Sequence, residues 1–148
     1  GRFADEGKSA GSTAKADTPK NTPGGGLTNG GNGSIIRSAI RDGTVRLELD
    51  TAKQNKHIPG AKGYCKGKSY LTISAAEAER VIKRKAGHGY AIPNINGLWS
   101  HKESIDCGKM IGVCVDKSTG RQKKTRYAVI HYSKSGTHMV PTKELKNG

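Results

Sequence analysis

The run KTRYAVIHYSKSGTHMVPT at residues 124–142 contains two strand-like segments joined by a turn at 133–136. Residues 124–132 include several β-branched and aromatic side chains and are followed by turn residues, which is typical of a β-strand. A third strand-like run, MIGVCVD at 110–116, precedes it and ends in a turn at 117–120. We therefore predict an antiparallel meander over 110–142, with Pro141 at the end of an edge strand. The side chains predicted to share one face of the middle strand are Thr125, Tyr127, Val129 and His131.

Helical patterns lie upstream of the meander. Ser74 and Glu77 form the capping-box pattern S-x-x-E, which predicts a helix over 75–86 that closes at Gly87. The spacing of apolar residues over 34–41 predicts a short helix with Ser34 as its N-cap. Residues 44–49 and 69–73 are strand-like, and 51–56 can begin another helix. The predicted class is α+β, with short N-terminal helices packed on a small antiparallel β-sheet.

The composition divides the chain into three parts. Residues 1–33 are rich in Gly, Ser, Thr, Asn and Pro, which predicts a flexible linker. We interpret it as a tether, with a cloning or truncation remnant as the alternative. An entry segment over 34–50 then leads to a basic domain over 51–148. Because no signal peptide is present and the first residue is not Met, we expect a piece of a longer protein.

Positive charge is concentrated in the basic domain. Residues 1–50 carry 7 basic and 6 acidic side chains (+1), whereas residues 51–148 carry 19 and 6 (+13). Such an excess indicates a polyanionic partner, which can be nucleic acid, an acidic protein or a membrane surface. A merely solvated basic surface is the alternative. No apolar run reaches the roughly 18 to 20 residues of a membrane-spanning helix, so an integral membrane protein is excluded.

Two histidines stand out by context. Lys53 and His57 are four residues apart and share a face if their segment is helical. His138 follows the 133–136 turn. An imidazole can accept a proton from a hydroxyl or donate one to a leaving oxygen, and a nearby ammonium can stabilise a phosphorane-like transition state. These groups suffice for metal-independent RNA cleavage. The alternative is that both histidines are ordinary surface residues.

A basic cluster at 121–126 lies beside Tyr127 and Tyr132. Cations that contact phosphate and aromatic rings that stack on bases are the usual means of binding single-stranded RNA. The predicted binding residues in this region are Lys124, Thr125 and Arg126. The cysteines at 65, 107 and 114 have no common zinc spacing, although a site that uses His101 and Cys107 stays open. We predict no cofactor and no metal.

Three stretches together resemble the polymorphic toxin type 50 family. They are KQNKHIPG at 53–60, SYL at 69–71 and YAVIHYSKSGTHMVP at 127–141, and the resemblance covers about residues 51–143. It implies the fold shared by barnase, EndoU, colicin and RelE nucleases, and a metal-independent endoribonuclease that cleaves tRNA. It also implies a cognate immunity protein, which the positive charge of residues 51–148 predicts to be acidic, and a larger secreted carrier, as in contact-dependent growth inhibition. The toxin would be delivered by the producer and act in the target-cell cytoplasm.

The resemblance also implies roles for individual residues. His57 or His138 would be the general acid or base, and Lys53 the transition-state cation. Thr137 and Ser133 would hold phosphate or orient a histidine. The remaining matching polar residues, expected to contact substrate, are Gln54 and Tyr132. The competing hypotheses are a metal-dependent DNase toxin, a non-catalytic RNA-binding module and a phage structural protein.

Overall fold

The computed structural model describes residues 33–146. Residues 1–32, which include nearly all of the predicted linker, lie outside the described residues. The helices of the described range are α1 (Ser34–Arg41), α2 (Thr51–Asn55) and α3 (Ala75–Lys85). The strands are β1 (Tyr70–Leu71), β2 (Tyr90–Pro93), β3 (Trp99–Asp106), β4 (Gly112–Val115), β5 (Gln122–Thr125), β6 (Tyr127–His131) and β7 (His138–Thr142).

The predicted helices over 34–41 and 75–86 are confirmed. The Ser74 hydroxyl accepts a hydrogen bond from the Glu77 N–H (3.1 Å), as a helix N-cap does. After α3 the chain turns at Gly87, whose φ of +83° suits glycine. The N-cap of α1 is Gly33 rather than Ser34. Each helix therefore begins and ends near the residue that its local sequence indicates.

The predicted strand over 44–49 is wrong. This segment forms only isolated bridges, between Arg46 and Ser133 and between Leu49 and Thr137. Its backbone instead bonds at intervals to the loop that connects β6 to β7. The alternating side chains still bury Val45, which is 3% exposed. The pattern thus predicted which residue packs inward but not the backbone pairing.

The predicted single meander is also wrong, because the run over 124–132 breaks into β5 and β6. Strands β1, β4 and β5 form a three-stranded sheet in the order β1-β4-β5, and a four-stranded sheet has the order β2-β3-β6-β7. At the break, the Thr125 hydroxyl accepts a hydrogen bond from the Tyr127 N–H (3.0 Å) and donates one to the Thr142 carbonyl (2.7 Å). The fold is α+β, with two antiparallel sheets instead of one.

Strand β7 lies at the edge of the four-stranded sheet, as expected for a strand that contains Pro141. It also contacts α2, α3, β1 and β4. Gly112 allows part of this packing, because a Cβ atom there would lie 2.5 Å from the Tyr70 carbonyl oxygen and 2.7 Å from Pro141 Cγ. Strand β7 therefore joins the helices to both sheets. The large apolar core side chains include Ile36, Leu71, Ile82, Ile105, Ile111, Ile130 and Met139.

Residues 33–92 and 100–146 form one compact unit, which includes the predicted entry segment. The loop segment 93–99, from the last residue of β2 to the first of β3, belongs to a separate unit. Within this loop the Asn94 N–H donates to the Leu98 carbonyl (2.6 Å), and Ile95 is 99% exposed. Over residues 33–146, no helix combines the length and apolarity needed to cross a bilayer.

Candidate active site

Two histidines face each other across the β6–β7 pair. His131 is the last residue of β6, His138 is the first of β7, and the two are directly opposite in the antiparallel register. Directly opposed residues point to the same face of a sheet. Their ring centroids are 4.8 Å apart, with 24° between the ring planes. The hairpin thus forms a pair of stacked imidazoles at one end of the sheet.

His57 adds a third ring from the other side. It follows α2, and its ring centroid lies 6.1 Å from that of His138 at an interplanar angle of 13°. Its Nδ1 lies 2.9 Å from the Ser69 carbonyl oxygen. A carbonyl oxygen only accepts, so Nδ1 carries the proton and Nε2 of the neutral ring holds the lone pair. We call His57, His138 and His131, in this spatial order, the histidine stack.

The side chain of Gln54 positions His57 beside β7. Its Nε2 donates to the Met139 carbonyl (2.9 Å), and its Oε1 accepts from the Met139 N–H (2.8 Å). The amide therefore pairs with the exposed edge of β7 as a neighbouring strand would. Gln54 was predicted to contact substrate, but it is fully buried in these backbone contacts. It holds α2 against the strand that begins with His138.

Lys53 lies one turn before His57 on the same segment. Its Nζ is 3.9 Å from Asp50 Oδ2, and its side chain is 45% exposed. Asp50 is also the N-cap of α2, because its carboxylate accepts from the Lys53 N–H (3.2 Å). The positive charge of Lys53 contributes to lowering the pKa of both His131 and His138. The ammonium group is therefore within electrostatic range of the histidine stack.

The histidine stack resists protonation at two of its members. Burial lowers the pKa of His131 to about 4, and the positive charge of Lys102 acts in the same direction. Burial also lowers the pKa of His138 to about 4, and there the neighbouring His131 is the next cause. Asp50 opposes this shift at His138. Both imidazoles are therefore neutral at pH 7.

This electrostatic arrangement predicts that acid destabilises the fold. A histidine in the unfolded chain titrates near pH 6.5, so between about pH 6.5 and pH 4 the unfolded state binds more protons at positions 131 and 138. The free energy of unfolding should fall as the pH decreases through this window, by on the order of 1 to 2 kcal/mol per histidine after allowance for solvent screening. Urea denaturation at several pH values between 7 and 4 measures this loss.

A His131→Gln/His138→Gln double variant is the control, and its stability should vary less with pH over this window. The carboxylates of Glu77 and Asp106 do not confuse the result. Their hydrogen bonds to Lys109 and Arg126, respectively, hold the pKa of each near about 2, so their contribution is lost from about pH 4.5 downward, mostly below this window, and the double variant shows the same loss. Equal stability of the wild-type protein at pH 7 and pH 4.5 would contradict the prediction.

The hydroxyls of Thr137 and Ser133 are used within the loop before His138. Thr137 is fully buried and its Oγ1 donates to the Arg46 carbonyl. Its backbone N–H donates to the Glu48 carbonyl (2.9 Å), and its carbonyl accepts from the Asp50 N–H (2.8 Å). The Ser133 hydroxyl donates to the Gly136 carbonyl (2.6 Å). These bonds fix the backbone that carries His138 and Asp50.

The other predicted binding residues are not brought to the histidine stack. Tyr132 is 4% exposed, and its hydroxyl donates to Glu103 (2.6 Å), so the ring lies in the core and offers no open face to a base. Burial raises the pKa of the Tyr132 phenol, and the charge of Glu103 raises it further. Thr125 is 3% exposed and bonds to the backbone at the break between β5 and β6.

Arg126 lies at the far end of β6 from His131, about 16 Å away at the usual strand rise. Its guanidinium forms a bidentate pair with the Asp106 carboxylate, with distances of 2.8 and 2.7 Å, and lies over the Tyr127 ring. Lys124 is exposed on β5, opposite Val113 in the three-stranded sheet. Any contact of Arg126 with substrate would therefore be remote from the histidines.

His131 and Lys102 were not among the site residues predicted from the sequence. In the register of the four-stranded sheet, Lys102 of β3 is directly opposite His131, which is opposite His138. The available signal was the equal spacing of His131 and His138 from the 133–136 turn. Within residues 33–146, no group of three or more His, Cys, Asp or Glu side chains is arranged to hold a metal ion. Cys65, Cys107 and Cys114 are free thiols.

The chain was also compared with known proteins. Residues 49–141 match the family described as bacterial toxin 50, and this stretch includes the whole histidine stack and most of both sheets. No curated protein matches the chain. The resemblance that the motifs at 53–60 and 127–141 indicated is confirmed. The chain belongs to the bacterial toxin 50 family.

Proposed function

We propose that this toxin is a metal-independent endoribonuclease that cleaves RNA, with tRNA as the expected substrate class. The observation that supports this most directly is the stacking of His57 on His138, with 6.1 Å between the ring centroids, on a segment that also carries the Lys53 ammonium. Two imidazoles close together provide one proton acceptor and one proton donor. A fixed cation beside them can stabilise the negative charge that develops on a phosphorane-like transition state. RNA supplies its own nucleophile, the ribose 2′-OH.

We assign His138 as the general base, because its lowered pKa keeps it neutral and ready to accept a proton at pH 7. It takes the proton of the 2′-OH while the 2′ oxygen attacks phosphorus. The bond from phosphorus to the 5′ oxygen then breaks, and that oxygen receives a proton from Nε2 of His57, which enters this step as the imidazolium with a proton on both ring nitrogens. The products are a 2′,3′-cyclic phosphate and a 5′-OH. A bound phosphate also raises the pKa of nearby imidazoles, which brings that of His138 closer to the operating pH.

The other predicted residues divide into two roles in this proposal. Lys53 stabilises charge on the scissile phosphate. Gln54, Thr137 and Ser133 act as positioning residues, since their side chains bond to the backbone around His57 and His138. In this proposal His57 and His138 transfer protons, and Lys53 acts on the scissile phosphate through its charge.

Incubation of the purified protein with total bacterial RNA, with and without EDTA, tests the proposal. We expect the same fragments in both samples, each with a 2′,3′-cyclic phosphate and a 5′-OH end. Cleavage of DNA that stops with EDTA would instead favour a metal-dependent DNase. Binding of RNA without fragments would favour a non-catalytic module. A lack of growth inhibition when the protein is expressed in bacteria would favour a structural protein.

The charge distribution supports a proposal about partners. Residues 51–148 carry a net charge of +13, so we propose an acidic immunity protein that covers this domain and neutralises it. We further propose that a larger secreted carrier delivers the domain to the cytoplasm of a target cell, with residues 1–33 as the tether. A basic neighbouring gene product that still neutralised the toxin would count against the acidic partner.

A further inference from the structure

We propose that His131 and Lys102 form a second phosphate subsite, which binds the RNA phosphate next to the scissile one. The inference rests on the proposed function, because it takes His57 and His138 as the groups around the scissile phosphate. It adds a substrate requirement, namely that efficient cleavage needs an RNA with more than one phosphodiester. Neither residue is needed to explain the bond-breaking step itself.

The register of three neighbouring strands places the residues of this subsite in one row with His138. Lys102, His131 and His138 are directly opposite one another on β3, β6 and β7. Strands in a sheet are about 4.8 Å apart, so Lys102 lies about 10 Å from His138 along this row. Consecutive phosphates of a single strand can cover such a span. The row therefore extends in one direction away from the reacting groups.

These residues occupy the side of the sheet that faces away from the core residues of β6 and β7. The neighbouring register positions, Ile130 and Met139, point to the opposite face and are fully buried in the core. Lys102 is exposed, whereas the next residue along β3, Glu103, is fully buried. The row of Lys102, His131 and His138 thus lies on the face opposite Ile130 and Met139, where Lys102 is exposed and the two histidines are half-buried.

The backbone next to Lys102 adopts an uncommon conformation that also supports the subsite. His101 has a φ of +66°, which is uncommon for a residue with a side chain, and its carbonyl accepts a hydrogen bond from the Tyr132 N–H (2.8 Å). As a result both His101 and Lys102 are exposed, although adjacent strand residues normally alternate between faces. Strained backbone of this kind is often retained at functional sites. The bond to Tyr132 holds it next to His131.

Lys102 and His131 also have complementary chemistry for binding one phosphate. Lys102 is directly opposite His131 in the register of β3 and β6, and its positive charge is, after burial, the next cause of the lowered pKa of that ring. A neutral His131 can donate an N–H to a phosphate oxygen without repelling the lysine charge. Lys102 supplies the electrostatic attraction, which phosphate contacts mainly use. A neutral donor beside a cation is a suitable pair for one phosphate group.

The test compares wild type, Lys102→Ala and Lys102→Arg on two RNA lengths. A fluorescent 2′-O-methyl pentanucleotide, which cannot be cleaved, and the corresponding dinucleotide, which has only one phosphodiester, are titrated from 50 to 200 mM salt. We expect Lys102→Ala to bind the pentanucleotide about tenfold more weakly, with a salt slope reduced by about one. Its affinity for the dinucleotide should be unchanged, and Lys102→Arg should restore most of the loss. His131→Gln should weaken pentanucleotide binding by a smaller factor.

Lys117→Ala is the matched control, because Lys117 is exposed in the turn between β4 and β5. It should bind both RNAs as the wild type does. Equal binding of the pentanucleotide by wild type and Lys102→Ala, or an equal loss on both RNAs, would overturn the subsite. If the wild type binds the pentanucleotide as expected but cleaves no RNA, the proposed nuclease function fails while the phosphate subsite stands.

Discussion

Replacement of either His57 or His138 by alanine should reduce RNA cleavage by a factor of about 10² to 10⁴ in kcat/KM. This is the usual contribution of one positioned general acid or base. The two rings stack within 6.1 Å of each other and act on the same bond, so their effects should not add. The double variant should therefore be little slower than the slower single variant. Initial rates are measured for the wild type, the two single variants and the double variant. The substrate is a short oligonucleotide in which only one nucleotide carries a ribose 2′-OH.

The control for this experiment is His88→Ala. His88 is exposed in the turn that follows α3 and is not part of the histidine stack, so its loss should leave cleavage within a factor of two. Circular dichroism and urea denaturation establish that each variant is folded. Full activity of a folded His57→Ala or His138→Ala protein would reject the proposed acid–base pair while leaving the family assignment intact.

The local sequence was sufficient for the helices and for the outline of the hairpin. The Ser74 cap and the apolar spacing of α3 are local features, and the structure has both where they were predicted. The turn at 133–136 also depends on local residues. Because the 53–60 and 127–141 motifs bracket the domain, they were sufficient to identify the family. These are the features for which neighbours in sequence are the deciding partners.

Strand β3 could not be recognised in this way. Its sequence is WSHKESID, and it lacks an apolar alternation because Glu103 lies in the core. The partners that make this burial possible are Gly87, Gly89 and Tyr132, which are 14 to 29 residues away in the chain. A buried carboxylate with distant donors looks like a polar loop residue when only its neighbours are considered. The break at Arg126 was missed for a similar reason, since the Thr125 hydroxyl captures a backbone donor there.

The candidate site likewise combines features that depend on local sequence with features that depend on contacts between distant residues. The sequence predicted that His57, His138 and Lys53 are chemically suitable, and the structure stacks His57 on His138, with Lys53 four residues before His57. It could not predict that Gln54 would pair with the edge of β7, because that contact joins residues 85 positions apart. His131 was missed because its importance comes from the β6–β7 register. The sequence pattern therefore identified the reactive groups, whereas only the tertiary contacts distinguish these groups from the residues that position them.

The second large effect concerns stability, and it involves the carboxylate of Glu103. This side chain is fully buried and accepts hydrogen bonds from the Gly87 N–H (3.0 Å), the Gly89 N–H (2.6 Å) and the Tyr132 hydroxyl (2.6 Å). Gly87 also accepts a bond from Arg37 of α1 through its carbonyl. The carboxylate thus connects β3 with the turn after α3 and, through that turn, with α1.

Glu103→Ala should lower the free energy of unfolding by about 3 to 5 kcal/mol, because it leaves a cavity and three buried donors without an acceptor. Urea denaturation measures the loss. Since a domain of this size has only about 5 to 15 kcal/mol in total, the alanine variant can fail to fold. Tyr132→Phe provides the graded measurement, as it removes one donor and should cost about 1 kcal/mol.

Glu144→Ala is the matched control, because Glu144 is exposed after β7 and its removal should change stability by less than about 0.5 kcal/mol. The Glu103 and Tyr132 effects should also be coupled. In a Glu103→Gln background the side chain still has an acceptor oxygen, but the charge that strengthens the bond from Tyr132 is absent, so Tyr132→Phe should cost less there. An equal cost in both backgrounds, or a Glu103→Ala protein as stable as the wild type, would show that this carboxylate does not hold β3 to the turn.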